Sequence, residues 1–187
     1  MGPKADLHAV VKPNTCIYCV ILLFFVPLKW LIAWLLAIGM HEFSHWAAVK
    51  ICGGRVTELT VGIGGIQMRS TCLTNSRRLI CILSGPVGGF LLILLGRWLP
   101  RTALISWMLS VYNLLPFRFL DGGKALEILV GDRVAAITGN VFAFLLSVCA
   151  VYAALLLGMG GLPLVIVAIL WAKNRKRPCK PRVCKVQ

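Results

Sequence analysis

Charge is what this sequence has least of. Only 14% of its 187 residues are charged, and just six are acidic. Soluble domains carry about a quarter charged residues, so the composition excludes an ordinary water-soluble globule. A cleavable signal peptide is also missing: the first apolar run ends in VPLKW, without a small-residue cleavage site. There is no internal repeat and no low-complexity linker. The eight cysteines (16, 19, 52, 72, 81, 149, 179 and 184) include one CxxC pair, Cys16 and Cys19. No second CxxC or nearby His pair completes a structural zinc set. The cysteines read as small apolar side chains.

What is abundant is apolar surface: 59% of residues are hydrophobic and the mean hydropathy is +0.86. That pattern predicts an all-α integral membrane protein. Apolar runs place about six transmembrane helices near 15–28, 30–51, 79–98, 102–117, 134–157 and 162–172, with GMGGLP breaking the long final stretch. The expected organisation is a polytopic membrane core over 1–172 and a basic cytoplasmic tail over 173–187. Between the second and third spans, VTELTV, GIGG and IQM read as a small β-hairpin or, alternatively, an irregular glycine-rich loop. In LSGPVGG, Ser84/Gly88 and Gly85/Gly89 are small-xxx-small pairs that permit close helix contact, and Pro86 should bend the helix.

The net charge of +14 has a topological reading rather than a nucleic-acid one. With six spans and both termini inside, only Lys29, Arg97 and Arg101 of the twenty Lys and Arg fall outside. Basic residues gather on the cytoplasmic side. The lipid bilayer is therefore the expected partner, anionic headgroups included, and nucleic acid is not.

Within the second run lies HEFSH, residues 41–45. An ionised residue at mid-helix costs ~2.5–3.5 kcal/mol on the insertion scale, whereas a Leu or Ile returns only ~0.3–0.6. Residues four apart share a helix face, so His41 and His45 can aim two imidazoles at one point. Glu42, next along, can act as general base toward a water held there. HExxH on a helix is a zinc motif. A catalytic zinc usually has three protein ligands and an open position. The acidic residues outside the motif are Asp6, Glu58, Asp121, Glu127 and Asp132. Asp121 stands out, in NLLPFRFLDGG at the inner end of the fourth span. Pro116 breaks the helix, Gly122 and Gly123 permit a sharp turn, and irregular backbone at membrane depth must line a cavity or be buried in protein. His45 lies about 8 Å from Lys50 at ~1.5 Å per residue, so both halves fall near the cytoplasmic face.

HEFSH and NLLPFRFLDGG together resemble the site-2 protease family of intramembrane zinc metalloproteases, whose second motif is Asn-x-x-Pro-x-x-x-x-Asp-Gly. NLLP followed by LDGGK resembles most the stage IV sporulation protein FB branch. The resemblance covers roughly residues 15–130. It implies that His41, His45 and Asp121 bind Zn2+, that Glu42 is the catalytic base and that Asn113 holds the substrate backbone. It also implies a membrane-protein substrate, such as a pro-sigma or anti-sigma factor, and an inhibitory membrane partner. Two features differ: glycines stand at 88 and 89, where the family often has Asn, and the chain carries neither a PDZ insertion nor a nucleotide-sensing domain. The alternatives are a metal or proton transporter using the same His/Asp cluster as a relay, and a catalytically dead homologue that only binds membrane proteins. A transporter should show repeats and paired broken helices, and only one broken helix is evident.

The charge asymmetry makes a prediction. A topology reporter fused after Gln187 should be active only in its cytoplasm-maturing form; activity of a periplasmic or extracellular reporter there would overturn the six-span reading.

Overall fold

The computed structural model describes residues 8–11, 26–62, 65–70, 74–156 and 161–175. The chain is mostly helical and divides into two units, Met1–Tyr112 and Asn113–Gln187.

The first unit is built on α1 (Leu28–Ile51). Its end follows directly from the sequence ICGG. Gly53 adopts φ +78, and Gly53 and Gly54 donate backbone hydrogen bonds to Lys50 and Val49 at 3.0 and 2.8 Å. That is a Schellman motif, which needs a left-handed residue that glycine supplies without strain. Three strands complete a small sheet: β1 (His8–Val11), β2 (Val56–Gly62) and β3 (Gly65–Ser70). β2 and β3 pair antiparallel, with Val61 opposite Ile66 and an irregularity between Val56 and Glu58. Residues 63 and 64, between them, lie outside the described residues. β1 pairs parallel with β2, His8 opposite Glu58, giving the order β1-β2-β3. The sequence reading had no strand before the first apolar run. HAVV is too short to announce one, and a two-stranded ribbon alone is marginal, so β1 is a tertiary addition.

α2 (Asn75–Leu91) continues as a 3-10 turn over Leu92–Leu95. α3 (Pro100–Asn113) follows, with proline at its first position, where the missing donor costs nothing. The packing is inside-out relative to a soluble protein. The buried face of α1 is Ala33, Ala37, His41, Ala48 and Val49. That of α2 is Cys81, Gly85, Pro86, Gly88 and Gly89, and that of α3 is Thr102, Ala103, Ser106 and Ser110. Large apolar side chains face outward: Leu35 is 55% exposed where Ala37 is 0%. Small and polar inside, bulky outside, is how helices associate when lipid is the solvent, because close backbone approach replaces the hydrophobic effect as the driving force. Ser106 illustrates it, donating its buried hydroxyl to the Gly89 carbonyl at 2.9 Å.

The second unit contains α4 (Asp121–Val130), α5 (Asp132–Leu156) and α6 (Leu162–Arg175). Gly131, at φ +89, makes the break between α4 and α5. Phe117, Leu120 and Ala143 form the core, with Phe119, Phe142, Leu170 and Trp171 packed around them. One correction emerges. Gly122 and Gly123 do not form a turn; they lie in the first turn of α4. Their missing side chains let that helix rest on the carbonyls of Leu114 and Phe117, which a Cβ would strike. The last helix, α6, runs through Arg175.

Two segments, Asn75–Leu95 and Asp132–Leu156, are long and apolar enough to cross a membrane, and Leu162–Asn174 is a shorter apolar helix. With the inverted packing, these mark a membrane protein. The first expected span, near 15–28, lies almost wholly outside the described residues. The close approach at Gly123 predicts that Gly123→Ala lowers the thermal unfolding midpoint of the detergent-solubilised protein, at a cost of about 1–3 kcal/mol typical of overpacking.

Candidate metal centre

HEFSH occupies the middle of α1, as its spacing predicts. His41 is buried, 4% exposed, and His45 is half-buried one turn on. Their Nε2 atoms lie 3.3 Å apart, with the rings nearly perpendicular at 88°. His45 is oriented from α2: its Nδ1 lies 2.7 Å from the Cys81 carbonyl oxygen. A carbonyl only accepts, so Nδ1 must carry the proton and donate. Nε2 then keeps its lone pair. Metal-bound histidines are typically fixed in this way by a second hydrogen bond.

Glycines in α2 make that contact geometrically possible. A Cβ at Gly85 would collide with the His45 ring, and one at Gly88 with the Ser44 hydroxyl. Ser44 itself is folded back, donating to the Met40 carbonyl at 2.8 Å. The SGPVGG run is therefore more than a generic helix-contact signal, since two of its glycines fit against adjacent residues of the motif helix, His45 and Ser44.

Asp121 opens α4, 7% exposed, where a carboxylate is favoured by the helix N-terminal dipole. Lys124 donates to its Oδ1 at 2.9 Å. The segment leading to Asp121 is irregular, held by Phe117 N–H to the Leu115 carbonyl at 2.8 Å and Leu120 N–H to the Phe117 carbonyl at 2.9 Å. Glu42 is half-buried on α1, and Asn113 is half-buried at the last position of α3.

His41 and His45 in the first unit and Asp121 in the second are the candidate metal ligands. The donor set fits a divalent cation. Two imidazole nitrogens and a carboxylate leave one tetrahedral position open, as in catalytic zinc sites. The histidine spacing fits as well: nitrogens at ~2.0–2.1 Å from a tetrahedral ion would sit about 3.3–3.4 Å apart. Sequence reading missed the Cys81 carbonyl, because a backbone acceptor carries no residue signature. It also missed Lys124, although the Asp–Lys spacing of three in LDGGK is a helical ion-pair signal.

Gly85 supplies a test with an internal control. Gly85→Ala should displace the His45 ring and weaken Co2+ binding, read by visible absorption, by about 10–100-fold, as expected for damaged ligand orientation. Gly39→Ala, a position where an added Cβ meets nothing within 4 Å, should bind Co2+ like the native chain.

No protein-family model and no curated protein matches this sequence. Among solved structures, the chain is similar to the site-2 protease from Methanocaldococcus jannaschii, with a TM-score of 0.63 and 14% identity over 100% of this chain and 98% of that one. The chain thus has the fold of the site-2 protease family, and carries both of the motifs by which its sequence resembles that family.

Proposed function

We propose that the chain is an intramembrane zinc metalloendopeptidase of six spans with both termini in the cytoplasm. The observation that carries this reading is the His41/His45 pair on one helix face, with Nε2 atoms 3.3 Å apart, Glu42 adjacent in the same motif and a buried Asp121, on a site-2 protease fold. Its substrates are transmembrane or membrane-associated proteins cut near the cytoplasmic face. The resemblance to the sporulation branch favours a pro-sigma or anti-sigma factor, processed under control of a membrane partner.

Zinc held by His41, His45 and Asp121 would supply a Lewis acid that acidifies water and steadies negative charge on the scissile carbonyl oxygen. The protein's own residues do the rest. Cys81 and Gly85 hold His45 in the tautomer and orientation a ligand needs. Glu42 takes the proton of the attacking water and returns it to the leaving amine. Asn113 holds the substrate backbone. A helical substrate hides its peptide bonds in hydrogen bonds, so it must unwind before it is cut. An unwound strand can be held by addition to the outer edge of β3, the terminal strand in the sheet order.

Glu42→Gln tests the mechanism. It keeps the size and removes the basic carboxylate without touching a proposed ligand. Co-expressed with single-span substrates that carry helix-breaking residues, Glu42→Gln should lose product by the 10²- to 10⁴-fold typical of general-base removal, while purified protein retains its zinc by metal analysis. Undiminished cleavage would refute the mechanism. A native protein that moves ions but cuts no peptide bond would favour a transporter.

A further inference from the structure

The segment between α3 and α4, Leu114–Leu120, has irregular backbone in an apolar setting, and Pro116 brings no amide hydrogen to it. Such backbone is tolerated at membrane depth only when its polar groups are satisfied within the protein. The amide of Arg118 is the instructive one. It donates to Oδ1 of Asn174, at 3.1 Å, from near the end of α6. Asn174 is 2% exposed, the one buried amide side chain among the described residues. Its orientation is fixed by logic: a backbone N–H only donates, so the atom facing it must be oxygen. Nδ2 is left to donate to Oδ1 of Asn140, on α5, at 3.2 Å. Gly139 completes the arrangement. A Cβ there would lie 2.7 Å from the Pro116 carbonyl and 3.3 Å from the Asn174 amide, so α5 passes against the segment only because that position is glycine. The Arg118 side chain is held separately, by an ion pair to Asp132 at the start of α5.

Arg118 lies three residues before Asp121, and the Leu120 amide closes a turn onto the Phe117 carbonyl. Anchoring the Arg118 amide therefore fixes the turn that launches α4 and sets where its first residue stands. We propose that Asn174 is a positioning residue for Asp121: it reaches from the last helix to clamp the broken segment, so that the carboxylate is held ready for the cation. This rests on the reading of Asp121 as a metal ligand. It gives α6 a role in the centre although no motif lies on it.

The test uses the full chain in detergent, with Co2+ as the probe, read by titration and by the visible absorption of the bound ion. Asn174→Leu keeps the shape and removes the acceptor; it should bind Co2+ about 10–100-fold more weakly, the range for lost outer-shell support. Asn174→Asp keeps an oxygen toward the Arg118 amide, and the Asn140 amide can turn to donate to it, so affinity and spectrum should return toward native. A merely packing role would be served as well by Leu as by Asp. Native-like Co2+ binding by Asn174→Leu, or equal weakness of the Leu and Asp variants, overturns the proposal. If Asn174→Leu shows no cooperative thermal transition, Asn140→Ala replaces it. Residue 140 is exposed and tolerant, yet it orients the Asn174 amide, so its loss should weaken Co2+ binding and an unchanged affinity overturns the proposal. Asp121→Ala is run alongside. If it binds Co2+ like the native chain, the ligand reading itself fails and takes this one with it. If it binds weakly while Asn174→Leu does not, only the role of Asn174 fails.

Discussion

The hydrogen bond between the His45 imidazole and the Cys81 carbonyl is the contact on which the first unit turns. It requires α2 to approach α1 closely enough that a ring nitrogen meets backbone. That approach requires glycine at 85 and 88, since a Cβ at either would meet a motif side chain. In return, the bond fixes which nitrogen of His45 carries a proton. Remove the close approach and the imidazole loses both its tautomer and its direction. The alanines at 33, 37 and 48 belong to the same constraint, lining the seam with small side chains so that backbones can meet.

The same economy governs the rest of the chain. In an apolar solvent a bulky side chain gains little from burial, so most Leu and Ile face outward and much of the interior is left to Ala, Gly and Ser, with Phe117 and Leu120 the large buried side chains of the second unit. Polar groups inside must then be satisfied by backbone or by one another. Ser106 meets the Gly89 carbonyl, Ser147 the Ala143 carbonyl, and Asn174 the Arg118 amide. An interior of this kind can seat a histidine pair at modest cost, because its seams already consist of backbone carbonyls and small side chains. Glu42 is accommodated less deeply, half-buried on the same helix.

Much of the candidate site was legible residue by residue. HEFSH announced itself because polar residues are expensive in an apolar helix, and its four-residue spacing is a property of any α-helix. Asp121 was found because few carboxylates compete with it and because Pro116 marks a broken helix beside it. The glycines that follow were recognised, but their use was not. A GG pair reads locally as a turn, whereas here it permits a helix to rest on carbonyls several residues earlier, a contact no local pattern encodes. β1 was invisible for a similar reason: a four-residue strand exists only because β2 is there to pair with it.

By itself, then, the sequence determined the solvent, the helical periodicity and the chemistry of the candidate ligands, since these depend on composition and short-range spacing alone. Only the tertiary structure decided which backbone carbonyl orients His45, which glycines are seams rather than turns, and that Asn174 meets the segment leading to Asp121. Those choices link residues 36 and 56 positions apart. They are made by backbone atoms and by missing side chains, which every residue shares or which leave no chemical mark, and so they become visible only when the helices are laid against one another.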